Sequence, residues 1–175
     1  MKHPPDLHLR AADASRDAGA MLAIFNHEIE HSTALYEEEP RTLETMTAWF
    51  ASKAAGGWPV LVAEDLQGTL LGFASYGPFR AYPSFRYTVE HSVYVSVAAR
   101  RRGVARRLMR GLVQQAREES LHVMIGAIDA ENHASLALHA ALGFEPVGHL
   151  KQTGRKFGRW LDLVLVQRLL DGGPR

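Results

Sequence analysis

Val93-Tyr94-Val95-Ser96-Val97, running on through Arg100-Arg101-Arg102-Gly103-Val104-Ala105, reads as a β-strand that turns through a basic, glycine-containing loop into a helix. Such a turn gathers the free N–H groups of a helix N-terminus and the positive end of its dipole on one point. Arginines beside that point add charge-assisted bonds to an anion. The stretch is therefore a phosphate cradle in outline, and the surrounding sequence decides what bears the phosphate.

The helix that follows is the clearest in the chain. From Val104 to Glu118, Val104, Leu108, Leu112 and Ala116 fall on one face and Arg106, Arg110 and Arg117 on the other. Upstream, Leu7 to Arg10 suggests a short first strand, and Met21, Leu22, Ile24, Phe25 and Ile29 give a helix over about 14–31. A second helix bears Leu43, Met46, Trp49 and Phe50 and stops at Gly56-Gly57. Val60 to Ala63 and Leu70 to Tyr76 read as strands joined near Gln67-Gly68, and Val89 to Val97 as a third. Val123 to Ile128 is wholly apolar, which places it centrally in a sheet. A short helix from about His133 to Leu142 precedes two closing strands, Val147 to Leu150 and Trp160 to Leu169, around a Gly154–Gly158 turn. This order predicts an α/β or α+β layered domain.

At 175 residues and 46% hydrophobic, the chain can bury one sizeable core, so a single domain over 1–175 is expected, its core about 7–170. Lys plus Arg number 20 against 19 Asp plus Glu, which argues against a general nucleic-acid partner. There is no cysteine, excluding disulfides, thiolate zinc sites and Cys nucleophiles together. Met1 to Asp6 lacks the apolar core of a signal peptide, and no apolar run approaches the ~20 residues of a membrane span. A cytoplasmic protein without a membrane partner is the expectation.

The order of elements resembles the GCN5-related N-acetyltransferase (GNAT) fold, which implies an α+β domain with a mixed sheet of about seven strands flanked by four helices. Arg100-x-x-Gly103-x-Ala105 resembles that superfamily's pyrophosphate loop, and Asn132-x-x-Ser135-x-x-Leu138-His139-x-x-x-Gly143-Phe144 its second cofactor helix. Over nearly the whole chain the likeness narrows to the phosphinothricin acetyltransferase family, on Ile24 to His27, Ser32 to Ala34, Val89 to Val95 and Leu138 to Phe144. Gly72 to Gly77, Leu121 to Met124 and Lys156 to Leu163 are similar to a branch that acetylates methionine sulfoximine and methionine sulfone.

The resemblance implies acetyl-CoA as cosubstrate and no metal. Its pyrophosphate would lie over the N–H groups of Arg101, Arg102, Gly103, Val104, Ala105 and Arg106, with Arg101 or Arg102 on the phosphates or the adenosine end. Val93, Tyr94 and Val95 would pair through their backbone with the pantetheine arm as if with an added strand. A strand N–H would stabilise the thioester oxygen as it becomes an oxyanion. Asn132 and Ser135 would touch the cofactor arm, although both also suit a helix start. Glu90 is the candidate base for the ammonium proton, and His139 stands where a proton donor to the departing thiolate is expected. His91 and Ser92 follow Glu90 on alternating faces as candidate pocket residues. Arg80 leads the acceptor residues because guanidinium holds a carboxylate bidentately; Arg86, Tyr82 and Tyr36 accompany it.

One rival pattern stands in the chain. His27-Glu28-Ile29-Glu30-His31 matches H-E-x-x-H, the zincin signature, on a predicted helix. Nine histidines make a chance match easy, and a zincin needs a cleft and a third ligand, so the acetyltransferase reading prevails. The expected reaction is acetyl transfer to the α-amino group of a methionine-like amino acid. Phosphinothricin, a polyamine or a protein N-terminus are alternative acceptors, and a CoA-binding sensor is the non-enzymatic alternative. Relatives of this family are often homodimers, and Gly154–Trp160 is the segment offered for a partner contact.

Overall fold

The computed structural model describes residues 7–171, so the segment Met1–Asp6, read above for a signal peptide, lies outside the described residues. In chain order the elements are β1 (His8–Ala11), α1 (Ala14–His31), α2 (Leu43–Gly56), β2 (Val60–Glu64), β3 (Leu70–Pro78), β4 (Thr88–Val95), α3 (Val104–Glu118), β5 (Val123–Asp129), α4 (His133–Ala140), β6 (Glu145–Lys156) and β7 (Arg159–Leu169). Side chains close three of the four helix N-termini. The Asp13 carboxylate accepts from the N–H groups of Ser15 and Arg16, Thr42 and Thr45 bond reciprocally, and Asn132 accepts from the Ser135 N–H. The N-terminus of α3, at Gly103, has no side-chain cap.

The strands form one mixed sheet in the order β1-β2-β3-β4-β5-β7-β6. Every neighbouring pair is antiparallel except β4 and β5. On one face, Met21, Ile24 and Phe25 of α1 and Met46 of α2 pack with Phe73 and Tyr94. On the other, Leu108, Met109 and Leu112 of α3 and Leu136 and Leu138 of α4 pack with Val89, Val93 and Val95. Alternation along β4 therefore sends Glu90, Ser92 and Tyr94 to the α1–α2 face and Val89, His91, Val93 and Val95 to the α3–α4 face.

Two expected boundaries move. β4 ends at Val95, not Val97, because the Ser96 N–H turns back to the Leu71 carbonyl and residues 97–99 coil into a single 3₁₀ turn with Val97 exposed. β6 runs on to Lys156 through an irregularity between Leu150 and Gly154, so the expected Gly154–Gly158 turn shrinks to Phe157-Gly158, both with positive φ. Together β6 and β7 make a long closing hairpin whose outer strand is largely exposed.

The feature that matters for function is where the parallel pair stops. β4 and β5 are in register only from Thr88↔Val123 to Glu90↔Ile125. Beyond that, β5 stays with β7 to Asp129 and β4 stays with β3 to Val95, and the two strands part.

Candidate acetyl-donor cleft

A cleft of about 770 Å³ opens where β4 and β5 separate. Val93, Tyr94 and Val95 form one wall, and the turn Arg100, Arg101, Gly103, Val104, Ala105 and Arg106 closes one end. Asn132, Ser135 and Leu138 of α4 stand opposite. The side of β4 that leaves β5 after Glu90 has backbone donors and acceptors with no strand partner in the sheet register. At the turn, Gly103 takes φ of +81°, a left-handed conformation that costs other residues about 1–2 kcal/mol. A Cβ there would meet no atom within 4 Å, so backbone conformation alone makes the position a glycine's. The first N–H groups of α3 are thus left uncapped at the cleft, a concentration of positive partial charge built for an anion.

Most of the expected cofactor residues meet here. Arg102 is the exception, being absent from the cleft lining. Asn132 does both things considered for it: its Oδ1 caps α4 while the residue faces the cleft. Ser135 Oγ lies 3.4 Å from His139 Nδ1, so it too is partly engaged within the helix.

Glu90 stands on the α1–α2 face, across from Gly77 of β3. Burial pushes its carboxyl up from the ordinary 4.5, and the Arg80 guanidinium pulls partly against that. Arg80 is exposed, stacks on Phe79 at 4.1 Å and donates to the Phe79 carbonyl oxygen at 2.8 Å. The structure thus brings Arg80 and Glu90 into one electrostatic neighbourhood. Tyr82 is 71% exposed, and Arg86 folds back on Tyr87 and the Pro83 carbonyl, so these two point along the loop surface. Tyr36 covers Gly154 of β6, where an added Cβ would lie 3.2 Å from its ring; burial and then the Asp129 charge raise its hydroxyl pKa.

Two expectations meet a different arrangement. His91 lies on the face opposite Glu90, 8% exposed, and packs against His139 and Phe144. It therefore does not share an acceptor pocket with Glu90 and Ser92. His139 is 1% exposed, outside the cleft lining, with Nδ1 2.7 Å from the Ser135 carbonyl oxygen and Nε2 3.2 Å from His91 Nε2. The carbonyl can only accept, so His139 Nδ1 holds the hydrogen and its Nε2 accepts from His91. Burial, then its neighbour His139, draws His91 down to about 3, and burial likewise lowers His139, so both rings are neutral near pH 7. Gly126 makes the pair possible, because a Cβ there would lie 2.7 Å from His91 Nε2. His139 is thus engaged within the core, with both ring nitrogens occupied by Ser135 and His91.

Sequence reasoning missed a set of residues that tie the α1–α2 connection to the cleft. Arg100 pairs with the buried carboxylate of Glu28, which also accepts from Ser32 Oγ at 2.7 Å. Thr33 Oγ1 donates to buried Asp129, at the end of β5. Lys156 Nζ donates to the carbonyls of Ser32 and Leu35, at 2.9 and 2.6 Å. An ammonium pointing inward from an exposed hairpin leaves no periodic signal in the sequence.

Comparison with known proteins accords with this geometry. The acetyltransferase (GNAT) family model matches residues 21–144. The L-methionine sulfoximine/L-methionine sulfone acetyltransferase of Pseudomonas aeruginosa is 47% identical over 161 residues, covering 89% of this chain and 94% of that protein. A structure from Acinetobacter baylyi ADP1, assigned as an acetyltransferase, superposes with a TM-score of 0.95 at 44% identity, covering 100% of this chain and 99% of the other. The phosphinothricin acetyltransferase of Sinorhizobium meliloti, solved in complex with AcCoA, gives 0.90 at 36% identity over 93% and 88%. The fold and its split sheet define an acyl-CoA-dependent transferase. More particularly, the chain belongs to the acetyltransferase (GNAT) family and is an N-acetyltransferase.

Proposed function

We propose that this protein transfers acetyl from acetyl-CoA to the α-amino group of a methionine-like amino acid, with methionine sulfone and sulfoximine as leading acceptors. Bound acetyl-CoA supplies an acetyl group activated as a thioester. The observation that carries the donor assignment is the uncapped N-terminus of α3 at Gly103, set at one end of the gap between β4 and β5. The acceptor assignment rests on the named relatives and on Arg80 beside Glu90.

In this reading Glu90, its basicity raised by burial, accepts the proton that an incoming ammonium must lose. Backbone N–H groups of the Val93–Val95 strand hold the oxygen of the tetrahedral intermediate. Arg80 grips the acceptor carboxylate, with Tyr36 and Ser92 shaping the pocket. With no cysteine to form an acyl-enzyme, transfer is direct within a ternary complex. The thiolate takes its proton from water, and His139 acts by packing the wall behind it. The working protein is a cytoplasmic homodimer, with exposed Phe157 and Trp160 on the β6–β7 hairpin as the partner contact.

The test is a thiol-release assay over a panel of methionine sulfone, methionine sulfoximine, phosphinothricin, a polyamine and an N-terminal peptide. The absence of cysteine means that a thiol reagent sees only liberated CoA. Turnover should be greatest on the two methionine derivatives. Preference for phosphinothricin, the polyamine or the peptide would move the acceptor to that class, and no turnover with retained CoA binding would make the protein a sensor.

A further inference from the structure

Lys156 is the last residue of β6, and its burial is out of keeping with the strand that carries it. The strand is largely exposed, yet Lys156 is only 3% exposed. Withdrawing an ammonium from water is costly unless its donors and its charge are both satisfied. Both needs are met here. Nζ donates to the carbonyl oxygens of Ser32 and Leu35, at 2.9 and 2.6 Å, and the carboxylates of Glu28, Glu37 and Glu38 supply opposing charge. A methionine could fill the same space without that cost, so packing alone does not account for a lysine.

The two carbonyls belong to the connection between α1 and α2, where residues 32–36 lie in neither helix nor strand. Side chains fix its course instead. Glu28 takes the Ser32 hydroxyl, Thr33 donates to Asp129, and Lys156 gathers the carbonyls on either side of Thr33 and Ala34. Ser32, Thr33 and Ala34 line the acetyl-donor cleft, as do Phe157 and Arg159 from the hairpin just beyond Lys156. Tyr36 continues the connection and lies over Gly154, two residues before Lys156 on the same strand. Lys156 thus pins the tip of the β6–β7 hairpin to the wall that carries Tyr36. The zincin alternative fails on the same network. Glu28, which would have to serve as its base, is buried and occupied by Arg100 and Ser32. Among the described residues no group of three or more His, Cys, Asp or Glu side chains is arranged to hold a metal.

We propose that Lys156 is a positioning residue for the acceptor: its ammonium sets the wall from Ser32 to Tyr36, and with it the Tyr36 ring, where the amino acid binds. The role rests on the amino-acid acetyltransferase reading above. The test is steady-state kinetics of Lys156→Met, which keeps the bulk and removes the charge, beside Lys156→Arg, which restores charge and donors. With the best acceptor of the panel, Lys156→Met should raise the acceptor KM roughly 10–100-fold, the worth of hydrogen bonds from a charged group. The KM for acetyl-CoA should stay within about twofold, a split that general loosening of the fold would not give. Lys156→Arg should recover most of the loss. Lys156→Gln, uncharged and one bond shorter, carries the same expectation as Lys156→Met and stands in if that variant does not fold. An unchanged acceptor KM, or an equal rise in both KM values, would overturn the role while leaving the activity standing. A wild type that turns over no acceptor of the panel would overturn the amino-acid reading, and this role with it.

Discussion

At the scale of single residues, the proposed mechanism turns on Glu90 and Arg80, which lie in one electrostatic neighbourhood. If Glu90 is the proton acceptor proposed, Glu90→Gln should lower kcat by about 10²–10⁴-fold, the range for a lost general base. Because burial raises the Glu90 carboxyl, the acid limb of the wild-type kcat/KM profile should sit above the ordinary glutamate value of 4.5. That limb should disappear in Glu90→Gln, and a variant that retained both rate and profile would remove Glu90 from the mechanism. Arg80→Gln should raise the KM of an amino-acid acceptor by roughly 10–100-fold, the worth of a charged hydrogen bond, while kcat changes little. An unchanged KM in steady-state kinetics would place the carboxylate elsewhere. His91 shows the limit of reading residues in a line: alternation along the strand was expected, but its burial against His139 and Phe144 on the far face was not.

At the scale of elements, the end of the parallel register and the bare start of α3 make the cleft. Gly103→Ala should strain the turn by about 1–2 kcal/mol and weaken acetyl-CoA binding by a comparable energy, measured by calorimetry. Gly126→Ala tests the buried histidine pair, since its methyl would press on His91 and on Val166, 3.0 Å away. It should cost about 1–3 kcal/mol in denaturant unfolding. The elements themselves were legible in the sequence where periodicity was strong, as in α3 with its apolar and arginine faces. The turn into α3 was legible because its glycine and arginines are local. The long β6 was not, because its outer edge has no strand partner and its exposed residues give no alternating apolar row. The bonds of Lys156, Glu28 and Asp129 to the α1–α2 connection join segments far apart in the chain, and no local pattern records such pairs.

For the whole molecule, the buried histidines predict acid sensitivity. His91 stays neutral in the fold down to about 3, whereas the unfolded chain takes up that proton near 6.5. Its contribution is therefore complete above about 6.5 and is lost as pH falls toward 3, with a slope of up to ~1.4 kcal/mol per pH unit for one proton. Unfolding free energies measured across that window should fall more steeply for wild type than for His91→Asn, and parallel curves would refute the assignment. The arrangement of seven strands and four helices followed from element order and family likeness, whereas the gap between β4 and β5 emerged only in three dimensions. The central claim is that this cleft serves acetylation of an amino acid's α-nitrogen. Proton NMR of methionine sulfone mixed with acetyl-CoA and enzyme tests it most directly. The α-proton signal should move to that of the N-acetyl product only when both enzyme and acetyl-CoA are present; an unmoved signal beside a turning-over thioester would contradict it.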